Sequence, residues 1–347
     1  LNKNKNSFIE ILRFVFCMVI FMHHSGFFSD GSEYPFMKAG FYAVEFFFIL
    51  TGALSMPFVY RTTKNDEIMK ASTGYTINKL KRIFPYALCG IVLSYIWYFI
   101  QADTTLSIKD RIFGRWNIIY EILFLPMTGV MNVDLNSYLN SPLWYLSVIL
   151  IVLPLILYIA IRFNDVYCNY LCIFIPLMMH GYLINKYDGI GSWGQYSGIV
   201  FTGVIRGAAD LMIGSLVFIL SKKIVTKSTI SKVIYTFVEA ICYIFALYTF
   251  NTSVDGYTYE FAILIMALGM SISLSGQTYT SLVKGRIFNI LGTLSLPIYC
   301  IHWPVYKLVS LYAPQVNYVS GVIITLCITV IVSVLMLIVV NRISKKV

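Results

Sequence analysis

Ten runs of about twenty mostly apolar residues recur along this 347-residue chain, near 9–28, 37–60, 82–101, 142–161, 167–185, 199–220, 233–250, 259–276, 288–310 and 317–341. About twenty such residues carry an α-helix across the ~30 Å hydrocarbon core of a bilayer. Lipid offers no partner to a bare N–H or C=O, so a spanning segment must be a helix or part of a closed barrel. A barrel would read as ~10-residue alternating segments, whereas these runs are continuous. The expected fold is all-α: a polytopic integral membrane protein of about ten transmembrane helices, one membrane domain over 1–347. The segment 117–130 is apolar but short. It is expected to be re-entrant or interfacial, not an eleventh span.

The charges then orient the chain. Only 12% of residues are charged, about half the soluble average of ~25%, yet the net charge is +10. In a soluble protein that excess would suggest nucleic acid. Here it follows the loops. With ten spans, the loops on the side of the termini (1–8, 61–81, 162–166, 221–232, 277–287 and 342–347) carry seventeen of the 26 Lys and Arg, with Arg82 at the margin. The opposite loops carry Lys38, Lys109, Arg111, Arg115 and Lys186. Cytoplasmic loops hold the excess of Lys and Arg, so both termini are cytoplasmic. An eleventh span would put Arg162 and the Lys222–Lys232 cluster outside. The first run contains an Arg and two His and has no clear small-residue cleavage site, so it is not expected to be a cleaved leader. Seven cysteines form no CxxC and read as small packing residues. No metal site is expected, and no P-loop, HExxH or GxSxG is present.

Ionisable groups inside a bilayer are rare and point to function when a partner can be named. Arg13 and His24 are eleven residues apart on span 1, about three turns, so they share a face roughly 16 Å apart along the axis. Glu10, at i,i+3, can pair with Arg13. His23 projects ~80° from Arg13, which makes it the bystander or helper of the adjacent pair. On span 9, Ser295, Tyr299 and His302 share one face through offsets of four and seven, and Pro297 and Pro304 interrupt the helix. Span 2 buries Glu45 among aromatics. His24 or Arg13 are its candidate partners, or else it belongs to a purely structural ion pair. Lys79, Lys81 and Arg82 stand at the entry to span 3, where basic residues either anchor the helix at the cytoplasmic surface or bind phosphates. Trp144 and Tyr145 open span 4 as interfacial aromatics, Ser147 is a candidate cavity residue, and Arg206 and Asp210 form a candidate structural pair at i,i+4. For each histidine and hydroxyl the competing reading is an interhelical hydrogen bond.

FIEILRFVFCMVIFMHHSG, AVEFFFILTGAL, LKRIFP, PLWYLS and ILGTLSLPIYCIHWPV, in that order, make the chain resemble the acyltransferase 3 family of integral membrane acyltransferases. In the first patch the family's acidic residue, Arg, ten intervening residues and His select Arg13 and His24. The patches run from about 7 to 305. The resemblance implies transfer of an acyl group, often acetyl, from cytoplasmic acyl-CoA to a hydroxyl of an extracytoplasmic glycan or lipid-linked sugar, with membrane lipids as surroundings. It implies a cell-membrane, multi-pass location of bacterial plasma-membrane type. Some members carry an appended extracytoplasmic hydrolase-like domain. None is read here, so transfer is expected to finish within the membrane domain. Members with a Glu shortly after the Trp-Ser-Leu stretch differ from this chain, which reads WYLSVILIVL.

The enzyme reading gives Lys79, Lys81 and Arg82 the phosphates of acyl-CoA, and Arg13 the orientation of the donor. His24 is the general base or the acyl relay, since its unperturbed pKa of ~6.5 suits proton transfer. Glu45 would orient His24. Trp144, Ser295, Tyr299 and His302 would face the acceptor or an oxyanion. The alternatives are a multi-pass transporter or flippase with broken helices, and a scaffold in which the ion pairs are structural.

Overall fold

The computed structural model describes residues 6–28, 36–63, 67–102, 105, 107–130, 138–189, 191–252 and 254–343. The chain runs through α1 Ser7–His23, α2 Ala43–Arg61, α3 Ile68–Gln101, α4 Ile108–Phe113, α5 Ile118–Ile122, α6 Trp144–Arg162, α7 Asn164–Val166, α8 Cys172–Tyr187, α9 Thr202–Lys223, α10 Thr229–Asn251, α11 Gly256–Ser275, α12 Arg286–Tyr312 and α13 Tyr318–Ile343. Two-residue strands, β1 Tyr196–Ser197 and β2 Val200–Phe201, pair antiparallel before α9. Ten of the helices are long, one for each expected span. Among the described residues, nine stretches are long and apolar enough to cross a membrane, α8 counting together with α7. The tenth is α12, whose apolar run is broken by Ser295, Tyr299, His302 and Lys307.

α3 is longer than expected. Its 34 residues extend roughly 50 Å, well beyond a ~30 Å hydrocarbon core. Much of 61–81, read as a loop, is therefore helical from Ile68 onward. The segment 117–130 does not span. α5 and a 3₁₀ turn at Pro126–Thr128 are pinned beside α6, where the Met127 amide donates to Ser147 Oγ at 2.9 Å. Ser147 is thus a tether for this segment. Glu121 accepts from the amides of Leu139 (2.7 Å) and Asn140 (3.1 Å). Burial pushes its carboxyl above the usual carboxylate range, and these two amides oppose the shift.

Two close helix crossings set the interior. α2 packs on α9 through Gly52 and Gly214. A Cβ on Gly52 would strike the Leu211 carbonyl, and one on Gly214 the Ile49 carbonyl. Gly52 lies seven residues from Glu45 and shares its face, and Gly214 lies eight residues, a little over two turns, from Arg206. Small residues let the backbones approach, and the charges meet two turns above the contact. α1 packs on α12 through Gly292, where a Cβ would collide with Glu10. Higher in the same crossing Cys17 Sγ donates to the Ser295 carbonyl at 3.1 Å. Pro304 cannot donate to Cys300, and that freed carbonyl instead accepts Asn140 Nδ2 at 2.9 Å. Asn140 therefore supplies the replacement partner that an intramembrane proline requires.

Candidate active site

Two cavities approach each other from opposite faces, oriented by the Lys and Arg bias of the loops. The inner one, about 530 Å³, is lined by Arg13, Tyr75, Asn78, Lys79, Arg82 and Ser295 with an apolar wall of α2 and α6. The outer one, about 680 Å³, is lined by His23, His24, Trp144, Trp193, Trp303 and Lys307, among others. Val44 and Tyr299 line both. Arg13 and His24, three turns apart on α1, stand on opposite sides of this shared wall.

In the inner cavity Arg13 donates from Nη1 to Glu10 Oε2 at 2.9 Å, the i,i+3 pair expected from the sequence. Lys79 and Arg82 join it. Lys81 is exposed and is not in the lining, because one and two residues on a helix turn by roughly 100° and 200°. Tyr145, read as an interfacial aromatic, is buried. Its hydroxyl meets Thr51 Oγ1 at 2.9 Å and donates to the Phe47 carbonyl at 3.1 Å. Ser295 belongs to this inner side and donates to the Gly292 carbonyl at 2.7 Å. The face that put Ser295 with Tyr299 and His302 is real, but two turns of α12 carry Ser295 to the inner cavity, Tyr299 to the shared wall and His302 behind the outer cavity.

In the outer cavity α1 ends at His23, and His24 begins a 3₁₀ segment, His24–Phe28. His23 Nδ1 lies 3.2 Å from the Met37 carbonyl. His24 Nδ1 lies 3.0 Å from Nε2 of His302. His302 is buried behind it and is not in the cavity lining, which corrects its expected contact with the acceptor. His302 Nδ1 is 2.7 Å from the Tyr299 carbonyl. A carbonyl only accepts, so this nitrogen carries the proton. In a neutral imidazole the other nitrogen then accepts, and His302 Nε2 receives the Nδ1–H of His24. The hydrogen-bond network, which is how such tautomers are assigned, leaves Nε2 of His24 with a lone pair. That is the state a general base requires. Tyr299, between the cavities, donates its hydroxyl to the Pro142 carbonyl.

Glu45 does not meet His24 or Arg13. It is bonded to Arg206 Nε, and the remaining arms of that guanidinium donate to the carbonyls of Gly191 (3.0 Å) and Phe41 (3.1 Å). Arg206 also stands over the Trp144 ring, 5.4 Å from its centroid, and Trp144 stacks on Trp193 at 5.7 Å. The expected Arg206–Asp210 pair is replaced by Arg206–Glu45. Asp210 lies instead 3.6 Å from His180 Nε2, whose Nδ1 is 2.8 Å from Glu260. Among the described residues no group of three or more His, Cys, Asp or Glu is placed to hold a metal.

A family model described as an acyltransferase domain matches residues 6–338. The chain belongs to the acyltransferase 3 family. Comparison with curated proteins and with solved structures returned no match. The protein is therefore a multi-pass membrane acyltransferase. Of the residues selected by its family patches, Arg13, His24, Glu45, Lys79, Arg82, Trp144, Ser295, Tyr299 and His302 all lie in or directly behind the two cavities, and Lys81 does not. Three further groups lie at the cavities: Arg206 as the partner of Glu45, Tyr145 in the inner wall, and Lys307 in the outer one. Arg206 carried a signal, an arginine inside a span. Lys307 did too, since it is a lysine in the outer part of a helix.

Proposed function

We propose that the protein moves an acetyl group from cytoplasmic acetyl-CoA, bound at the inner cavity, to a hydroxyl of an extracytoplasmic or lipid-linked glycan at the outer cavity. The observation that carries this reading is the meeting of a basic inner cavity and a histidine-bearing outer cavity at one shared wall. Arg13, Lys79 and Arg82 suit the phosphates of a CoA thioester, because guanidinium and ammonium groups bind phosphate oxygens by charge-assisted hydrogen bonds. The aromatic surfaces of Trp144, Trp193 and Trp303 suit the apolar face of a sugar ring. In the reaction, Nε2 of His24 takes the proton of the acceptor hydroxyl. The oxygen attacks the thioester carbonyl, the C–S bond breaks, and the proton on His24 passes to the departing sulfur. His302 positions His24 and keeps its Nε2 unprotonated before each turnover.

The test supplies radiolabelled acetyl-CoA to membranes of the producing cell containing wild type or His24→Ala at equal abundance. Base-labile label in a glycan with wild type, reduced at least ~100-fold by His24→Ala, is expected for loss of a general base. Equal label in both would remove His24 from the chemistry. No label from either would favour the transporter reading. His302→Phe should depress kcat, while His302→Gln, whose side-chain carbonyl can still accept from His24, should keep more of it and shift the pH profile.

A further inference from the structure

The outer cavity has one charge that nothing in the reaction so far uses. We propose that Lys307 is the anchor for an anionic group on the acceptor, so that the acyltransferase acts on a glycan bearing a phosphate or a carboxylate. This inference rests on the assignment of the outer cavity to the acceptor.

Lys307 sits on α12 just over one turn beyond His302 and lines the same cavity as His24. Its ammonium lies 4.3 Å from the centre of the Trp97 ring and 5.2 Å from that of Trp303. It donates one hydrogen bond, to the Leu139 carbonyl at 3.3 Å. Two aromatic faces and one long hydrogen bond hold an ammonium in position without neutralising it. Glu121 and Arg115, the charged groups that act on it, have opposite signs. Glu121 already directs both oxygens at backbone amides.

The other ionisable groups of the cavity lining do not compensate. They are His23, His24, Arg206 and the hydroxyls of Tyr138 and Tyr299, with no Asp or Glu among the described residues of that lining. Arg206 is neutralised by Glu45, so its charge is internal. Lys307 therefore leaves the outer cavity net positive. A partly buried charge is costly when the carboxylate that attracts it, Glu121, is already bonded to two amides and is opposed by Arg115, and a lysine on the outer side opposes the bias that places Lys and Arg inside. An incoming anion removes both difficulties. Next to it, Trp303 Nε1 is buried and has no hydrogen-bond partner among the described residues. An anionic sugar would rest its ring on the indoles and its charged group on Lys307, with a hydroxyl toward His24.

The experiment again starts from radiolabelled acetyl-CoA and membranes containing the full chain, and asks for the charge of the labelled product. The expected result is ester label retained on an anion exchanger. Mild acid followed by phosphatase then separates the two sources: loss of retention marks a phosphate group, such as a lipid-diphosphate carrier, and persistence marks a carboxylate in the glycan. Lys307→Gln should raise the acceptor KM about tenfold with kcat changed by no more than a few-fold, and Lys307→Arg should recover most of the loss. A neutral labelled product, or an acceptor KM unmoved by Lys307→Gln, would overturn the anionic anchor while leaving the transferase intact. If Lys307→Gln fails to accumulate, the product charge from wild type still decides. No ester from wild type would remove the transferase reading and this inference with it.

Discussion

Among the described residues, two Arg–Glu pairs of similar chemistry have different surroundings. Arg13 and Glu10 are one turn apart on the same helix, and the Arg13 side chain keeps 26% of its exposure, at the edge of the inner cavity. Arg206 and Glu45 come from different helices and are 1% and 0% exposed. Arg206 directs its donors at Glu45 and two backbone carbonyls. Arg13 directs one at Glu10 and has others to offer a ligand. A charge that is fully answered by protein fixes structure, and one left partly open at a cavity is free to bind. Exposure and donor use, more than the presence of an intramembrane ion pair, separate the two roles.

The sharpest way to break this contrast is Arg206→Ala. It strands a buried Glu45, and losing one partner of a buried pair costs about 3–5 kcal/mol. We expect little folded protein, read as loss of a monodisperse peak in detergent chromatography. Replacing both partners at once with apolar residues, Glu45→Leu with Arg206→Met, should restore much of the peak, since well-packed apolar pairs often match a buried ion pair. Arg13→Gln should do the opposite. Its folded yield should stay near wild type while the acetyl-CoA KM rises about 10- to 100-fold, the worth of one charge-assisted phosphate contact. Glu10→Gln should be milder, a few-fold in donor KM, because it frees Arg13 without removing it. The smallest effect belongs to Lys81→Gln. Outside the inner cavity, it should move the donor KM less than Lys79→Gln does.

The sequence made the membrane architecture readable because bilayer thickness translates directly into run length, and charge bias into orientation. The same helical arithmetic put Arg13 with His24 and with Glu10. What it could not supply is the pairing between helices. Glu45 has a partner 161 positions away, and only the Gly52–Gly214 crossing reveals why. His302 looked like a wall residue because it shares a face with Tyr299, yet packing of α12 on α1 turns it onto His24. Lys81 was grouped with Lys79 and Arg82 by proximity in sequence, which on a helix does not mean a common face. Lys307 stands out only as a lysine in the outer part of α12, and its meaning comes from a cavity formed by several elements.

The most direct test of the two-cavity account is the thermal midpoint of the purified protein with and without acetyl-CoA, for wild type, Arg13→Gln and His24→Ala. A ligand that binds the folded state raises that midpoint with the logarithm of one plus its concentration over its Kd. The account predicts an equal upward shift for wild type and His24→Ala, and a much smaller one for Arg13→Gln at the same concentration. A shift that survives in Arg13→Gln but disappears in His24→Ala would place the donor in the outer cavity and contradict it.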